Sequence, residues 1–146
     1  MDAIDRQIVA LLRQDARRSF QSIGQQVSLS APAVKRRVDR LEADGVIRGY
    51  TAQVDPGRYG WSTHAFVALY TEGRMAAAEV RDAVEHHPEV EAAYTVAGEA
   101  SAVVHVRARD TPHLEETLER LRDRPGITRT QTQIVLSTLF ERPFRQ

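Results

Sequence analysis

Residues 29 to 49, LSAPAVKRRVDRLEADGVIRG, constrain what the chain can fold into more than any other stretch. Val34, Val38 and Leu41 fall at i, i+4 and i+7, which makes one apolar stripe on a helix. Lys35, Arg36 and Arg40 project from the other side, with Arg37 beside the stripe. Ser30 is a good N-cap, Pro32 is tolerated in a first turn whose N–H groups lack intrahelical partners, and Gly45 stops the helix. A short helix, apolar on one face and basic on the other, is what a reader of the DNA major groove needs.

The residues before it support that reading. Asp2 caps a predicted helix with Ile4, Ile8, Leu11 and Leu12 inward, ending near Asp15. Ser19 caps a short second helix that buries Phe20, Ile23 and Val27, and VSLS is a tight turn into the third. Helix, short helix, tight turn and longer helix make a helix-turn-helix. VIRGYTAQV after Gly45 alternates well enough for a strand, and Asp55-Pro56-Gly57 breaks it at the best domain boundary.

Beyond that boundary the pattern changes. Strands are predicted at 64–70, 90–96, 101–108 and from Ile127 to Leu139. One helix is expected over 75–87, ended by Pro88; another is capped by Thr111, with Pro112 first and Leu114, Leu118 and Leu121 inward. The order βαββαβ is the ferredoxin-like sandwich, a four-stranded antiparallel sheet with both helices on one face. Its other face offers apolar or hydroxylic side chains at alternating positions in 66–70, 92–96, 103–106 and 130–134. Such a face marks an association surface, and a homodimer packed sheet against sheet is expected.

Composition fits this division. The net charge is zero, yet residues 1–60 hold ten Lys and Arg against seven Asp and Glu, a balance of +3, leaving −3 for residues 61–146. With 42% hydrophobic and 27% charged residues the chain reads as a soluble globular protein. The absence of cysteine excludes disulfides and thiolate metal sites. No apolar run approaches the roughly 18–20 residues of a membrane span, MDAIDRQ is not a signal peptide, and a cytoplasmic protein is expected. The five histidines lack dense metal-ligand spacing, and no nucleophile–base pair, phosphate loop or paired-carboxylate pattern is recognisable. No metal site, catalytic residue or cofactor is expected.

The chain resembles the Lrp/AsnC (feast/famine) transcriptional regulators over nearly its whole length. The first part of the resemblance is Ile4-Asp5-x-x-Ile8-x-x-Leu11-Leu12. The second runs Ile23-Gly24-x-x-Val27-x-Leu29-Ser30-x-x-x-Val34-x-x-Arg37-Val38-x-x-Leu41-Glu42-x-x-Gly45-Val46-Ile47-x-Gly49-Tyr50. The second half is similar to the family's effector domain down to the turn Val96-Ala97-Gly98-Glu99. The resemblance implies a winged helix-turn-helix domain over 1–50, a linker over 51–62 and a ligand-binding and oligomerisation domain over 63–146. It also implies dimers that bind two DNA half-sites and often associate into tetramers or octamers. An amino-acid effector would sit between subunits, near the turn after the second strand. Ser101 stands where the family frequently has an aspartate, a departure that bears on the chemistry of any effector.

Candidate residues follow. Ser30 and the helix N-terminus are placed to hold a phosphate, and Ala33 and Arg36 to reach base edges. Lys35, Arg37, Arg40 and Arg18 are expected on phosphates, with Arg37 also positioned for a structural role. Gly98, Glu99, Ala100 and Ser101, with hydroxyls from Thr95 and Thr132, are the candidate effector contacts. Two other readings stand beside the ligand-responsive regulator: a constitutive architectural DNA-binding protein without effector, and an enzyme resembling the tetrapyrrole decarboxylases that share this two-domain plan.

Overall fold

A computed structural model describes residues 1–73 and 75–141; the 142–146 end of the expected second domain lies outside the described residues. The chain divides into two compact units, residues 1–53 and 54–146.

The first unit contains α1 (Ala3–Gln14), α2 (Phe20–Val27) and α3 (Ala31–Ala43). Each begins at the side-chain cap expected of it. Asp2 and Asp5 form a reciprocal pair at the start of α1: Asp2 Oδ1 accepts from the Asp5 N–H at 2.8 Å, and Asp5 Oδ2 from the Asp2 N–H at 2.9 Å. Ser19 and Ser30 accept from N–H groups three residues on, at 3.2 and 3.4 Å. Ile8, Leu12, Ile23, Val27, Val34 and Val38 form one buried cluster, with Ile4, Leu11, Phe20, Leu29 and Ile47 packed against it.

The turn between α2 and α3 is held by backbone. Ser28 ends α2 in the left-handed region at φ 58°, and the Leu29 N–H donates to the Gly24 carbonyl at 2.9 Å. A Cβ on Gly24 would lie 2.3 Å from the Leu29 carbonyl oxygen, so this position requires glycine for close approach.

The strand expected over 46–54 does not form, and no strand is present among residues 1–53. Alternation yields a strand only where a partner supplies hydrogen bonds, and the strands of the chain begin at Thr63. Ile47 instead packs on the three-helix core, while Val46, Tyr50 and Val54 are exposed. No wing accompanies the helix-turn-helix among the described residues.

The second unit begins with a 3-10 turn, Pro56–Tyr59, capped by Asp55. It continues β1 (Thr63–Thr71), α4 (Ala77–Val84), β2 (Val90–Thr95), β3 (Ala102–Ala108), α5 (Thr111–Arg122) and β4 (Ile127–Ile134). The sheet order is β2-β3-β1-β4, with every neighbouring pair antiparallel. The expected ferredoxin-like arrangement is therefore present. Ala65, Val67 and Leu69 of β1 and the even-numbered residues of β3 point inward, where Val80 and Val84 of α4 and Leu114 and Leu121 of α5 cover them.

Several boundaries differ from expectation. Asp110, not Thr111, caps α5, because its carboxylate accepts from the His113 N–H at 2.8 Å and puts Pro112 one place further in. The helix α4 is shorter than 75–87, starting where Glu79 accepts from the Ala76 N–H and ending before His86. β4 stops at Ile134, opposite Ala65, and one further bond, from the Val135 N–H to the His64 carbonyl at 2.9 Å, ends the pairing. Thr130 and Thr132 are opposite Leu69 and Val67 and so face the helices; β4 gives the outer face Arg129, Gln131 and Gln133 instead.

Behind the sheet, Glu89 is buried and its Oε1 contacts His113 Nε2 at 3.0 Å and Arg120 Nη2 at 2.6 Å, tying α5 to the start of β2. Burial works to raise its pKa, but Arg120, a backbone N–H and His113 bring it below the ordinary glutamate value.

Gly24→Ala is expected to destabilise the first unit by about 1–3 kcal/mol, the usual cost of overpacking. Thermal melting of the full chain followed by helical dichroism checks this; an unchanged first transition contradicts the close approach.

Candidate nucleic-acid interface and ligand pocket

The basic residues of α3 do not all face solvent in the same way. Arg37 Nη1 donates to Asp2 Oδ2 at 2.6 Å and to Asp5 Oδ1 at 2.7 Å. Arg40 Nη2 reaches Asp5 Oδ2 at 2.9 Å. Asp5 is only 1% exposed, so its carboxylate is a buried charge compensated by two guanidinium groups. Backbone hydrogen bonding from Asp5, then Arg37, lowers the Asp2 pKa to about 2. Asp5 is likewise lowered, by the Asp2 N–H first and then by Arg37 against the opposing effect of burial.

Arg37 and Arg40 thus have partners inside the unit, and Arg40 still keeps 54% of its side chain exposed. Both are engaged in fastening α3 to α1, which is the structural role for Arg37 and an addition for Arg40. Asp5 was legible as a signal: with Ile8 and Leu12 it lies on the buried face of α1, and an acid there demands a cation. Lys35 is exposed and pairs with Asp39 one turn on, at 2.6 Å. Arg36 is exposed and has no ion pair among the described residues. Ala33 is half-buried next to it, and Ser30 is exposed at the helix N-terminus. Arg18 is half-buried, with Nη1 enclosed and without a partner among the described residues.

In the second unit, a cavity of about 780 Å³ is lined by Thr95 to Ser101 together with Gly73, Met75, Ala76 and Ala77. Thr95, Gly98, Glu99, Ala100 and Ser101 thus meet at one place. Thr132 does not: it is on β4, at the opposite edge of the sheet from β2. Its hydroxyl is buried on the helix side without a partner among the described residues. Ser101 is partly committed, since its N–H donates to the Leu69 carbonyl at 2.9 Å and its hydroxyl lies 2.7 Å from that of Thr71. Gly98, at φ 144°, occupies backbone space that other residues rarely adopt. Met75 and the neighbouring alanines were not singled out from sequence, because apolar residues at a helix start look like core.

A helix-turn-helix unit with a basic outer face, joined to a ferredoxin-like unit with a cavity at its β2–β3 turn, defines a ligand-domain transcription regulator as a class. Residues 1–42 match the AsnC-type helix-turn-helix domain and residues 64–143 the Lrp/AsnC ligand binding domain. The chain belongs to the Lrp/AsnC family and is a DNA-binding transcriptional regulator, not an enzyme. It is 46% identical over 142 residues to the HTH-type transcriptional regulator Rv2324 of Mycobacterium tuberculosis, covering 97% of this chain and 96% of the other. Identity to LrpA of the same organism is 37%, over 96% and 93% of the two chains. Among solved structures, the feast or famine regulatory protein Rv3291c of M. tuberculosis, complexed with L-methionine, superposes with a TM-score of 0.91 at 36% identity. That match covers 99% of this chain and 97% of the other. AsnC of E. coli superposes with a TM-score of 0.89 at 26% identity, covering 99% and 97%.

The acid limb of stability follows from the carboxylates. Asp2 and Asp5 have folded pKa values below the ordinary 3.8, so their contribution is complete above that pH and is lost as pH falls toward the folded values. An acid titration of the first unit's helical signal is expected to show this loss, and Asp5→Asn to flatten it while lowering the melting temperature at neutral pH. An Asp5→Asn chain with the wild-type acid limb would contradict the assignment.

Proposed function

We propose that this regulator reads DNA through a smaller set of side chains than the charge of α3 suggests. Arg36 is the base-reading cation, Ala33 lies against the neighbouring base, and Ser30 with the N–H groups of the first turn holds a phosphate. Lys35 and Arg18 supply further phosphate contacts. The single observation that carries this reading is the division of labour on one helix: Arg37 and Arg40 are held by Asp5, whereas Arg36 is exposed and unpaired among the described residues. Residues 1–50 form the DNA-binding domain, 51–62 the linker and 63–146 the effector and oligomerisation domain. The protein acts in the cytoplasm, where its DNA is.

Two copies associate through the outer faces of their sheets and present two α3 helices about one DNA turn (~34 Å), or a multiple of it, apart. Dimers assemble further into tetramers or octamers. The cavity at Gly98 takes a small amino acid between subunits, with Glu99 on its ammonium group and the N–H groups of 98–100 on its carboxylate. Met75, Ala76, Val96 and Ala97 provide an apolar wall for its side chain. The methionine bound by Rv3291c, at 36% identity, supports this choice of ligand. The Thr71–Ser101 contact favours a second reading, an architectural DNA binder without effector, because it occupies a hydroxyl the ligand would use.

Arg36→Ala is expected to cost about 1–3 kcal/mol on a specific duplex and little on a random one. Titrations at several salt concentrations check both points, since the wild-type affinity falls steeply with salt as counterions are released. Equal losses on the two duplexes contradict the base-reading role. Calorimetry with L-methionine and the other amino acids is expected to give binding that Glu99→Gln weakens at least about tenfold, as for loss of a charge-assisted hydrogen bond. No heat from any amino acid establishes the architectural reading instead.

A further inference from the structure

The outer face of the sheet carries a hydrogen-bonded row of four side chains from three strands. Arg107 of β3 donates through Nε and Nη2 to the two oxygens of Glu91 in β2, at 2.5 and 3.2 Å. Glu91 Oε2 lies 3.2 Å from His105 Nδ1, and His105 Nε2 lies 3.0 Å from His64 Nδ1 in β1. Phe66 stacks on the His105 ring with centroids 4.9 Å apart. Around the row, Phe66 and Tyr94 remain 43% and 60% exposed. Among the described residues, charge near this face also comes from Arg129 of β4, 3.9 Å over the Tyr70 ring, and from Glu141 beyond β4, which acts on His64 through space. β4 otherwise contributes the neutral Gln131 and Gln133, opposite Ala68 and Phe66.

The proton count along this row decides its charge. With Nδ1–H given to Glu91, a neutral His105 presents Nε2 as an acceptor for a proton on His64 Nδ1. Arg107 and Glu91 then cancel and both rings are neutral. A polar strip that satisfies itself and carries no net charge costs little to cover. A second copy of this chain fits it: neutral strip meets neutral strip, and each copy brings its own Phe66 and Tyr94. A charged partner finds no uncancelled charge at the centre of the face.

Protons change this balance. One added proton leaves the His64–His105 hydrogen bond possible but gives the strip a positive charge. A second proton sets N–H against N–H across the 3.0 Å contact and breaks it. Burial, then Arg107 and His105, already hold the His64 pKa below the usual histidine value, so the ring resists protonation. Covering the face with another copy strengthens the desolvation and disfavours the charged ring further.

We propose that the sheet-face dimer is proton-controlled, closing over a neutral His64–His105 pair and opening when that pair gains charge. This rests on the sheet-face dimer proposed above. The dimer binds fewer protons than two monomers, so association strengthens as pH rises and weakens as it falls through the histidine range. Two histidine pairs enter each dimer, which doubles the effect on a logarithmic scale.

Sedimentation velocity of the full chain over a concentration series, at about pH 8 and about pH 5, reads this directly. The wild-type dissociation constant is expected to rise at least about tenfold between them. In the His64→Gln/His105→Gln variant, which keeps polar side chains that gain no proton, it changes less than about threefold. Phe66→Asp gives monomers at pH 8 and locates the interface on this face. A wild-type monomer at pH 8, or a dimer that Phe66→Asp leaves intact, overturns the sheet-face reading itself. A dimer that Phe66→Asp disrupts but that ignores pH, or changes equally in the double glutamine variant, overturns the proton control alone.

Discussion

The carboxylate of Asp5 is the contact on which the DNA-reading unit depends. It is buried at the first turn of α1, takes a backbone N–H from Asp2, and meets two arginines of α3. A charge in that position is costly unless compensated, so the chain must bring α3 to α1 in one register. Apolar packing among Ile8, Leu12, Ile23, Val34 and Val38 fills the space between the helices but tolerates small slips; three directional contacts to one carboxylate do not. Half of the arginine and lysine charge that marked α3 as a DNA reader is thus paired with Asp5 of α1. Ser30, Lys35 and Arg36 remain exposed without a tie to α1.

Much of this architecture was legible because it rests on local rules. The caps at Asp2, Ser19 and Ser30 and the stripe Val34–Val38–Leu41 need only spacing and side-chain chemistry. The βαββαβ order followed from the change of period between strands and helices. The segment 46–54 failed for the opposite reason. Its alternation satisfied a local rule, but a strand is a pairwise structure and no partner lies within its unit. The cap of α5 moved by one residue because two good capping side chains adjoin, and the extended backbone of Asp110 decided between them.

The sites were legible in part. The residues around Gly98 gather at one cavity because they are consecutive in a turn. Thr132 depended on strand register, and a register set by the β1–β4 pairing turned it to the helix side. The histidines looked scattered because their partners are remote in the chain: His64 meets His105 across two strands, and His113 meets Glu89 behind the sheet. Pairing of that kind has no sequence period. The partner of Arg37 and Arg40 was hidden for the same reason, since Asp5 is more than thirty residues away.

The contact of Gly24 with the Leu29 carbonyl separates two kinds of sequence change. The angle between α2 and α3 is set by main-chain atoms and by side chains that point inward. Arg36, exposed on the outer face and proposed above to read a base, lies outside that frame. In a regulator built this way the mount and the reading surface are different atoms, so an exchange of an outward side chain leaves the mount as it is.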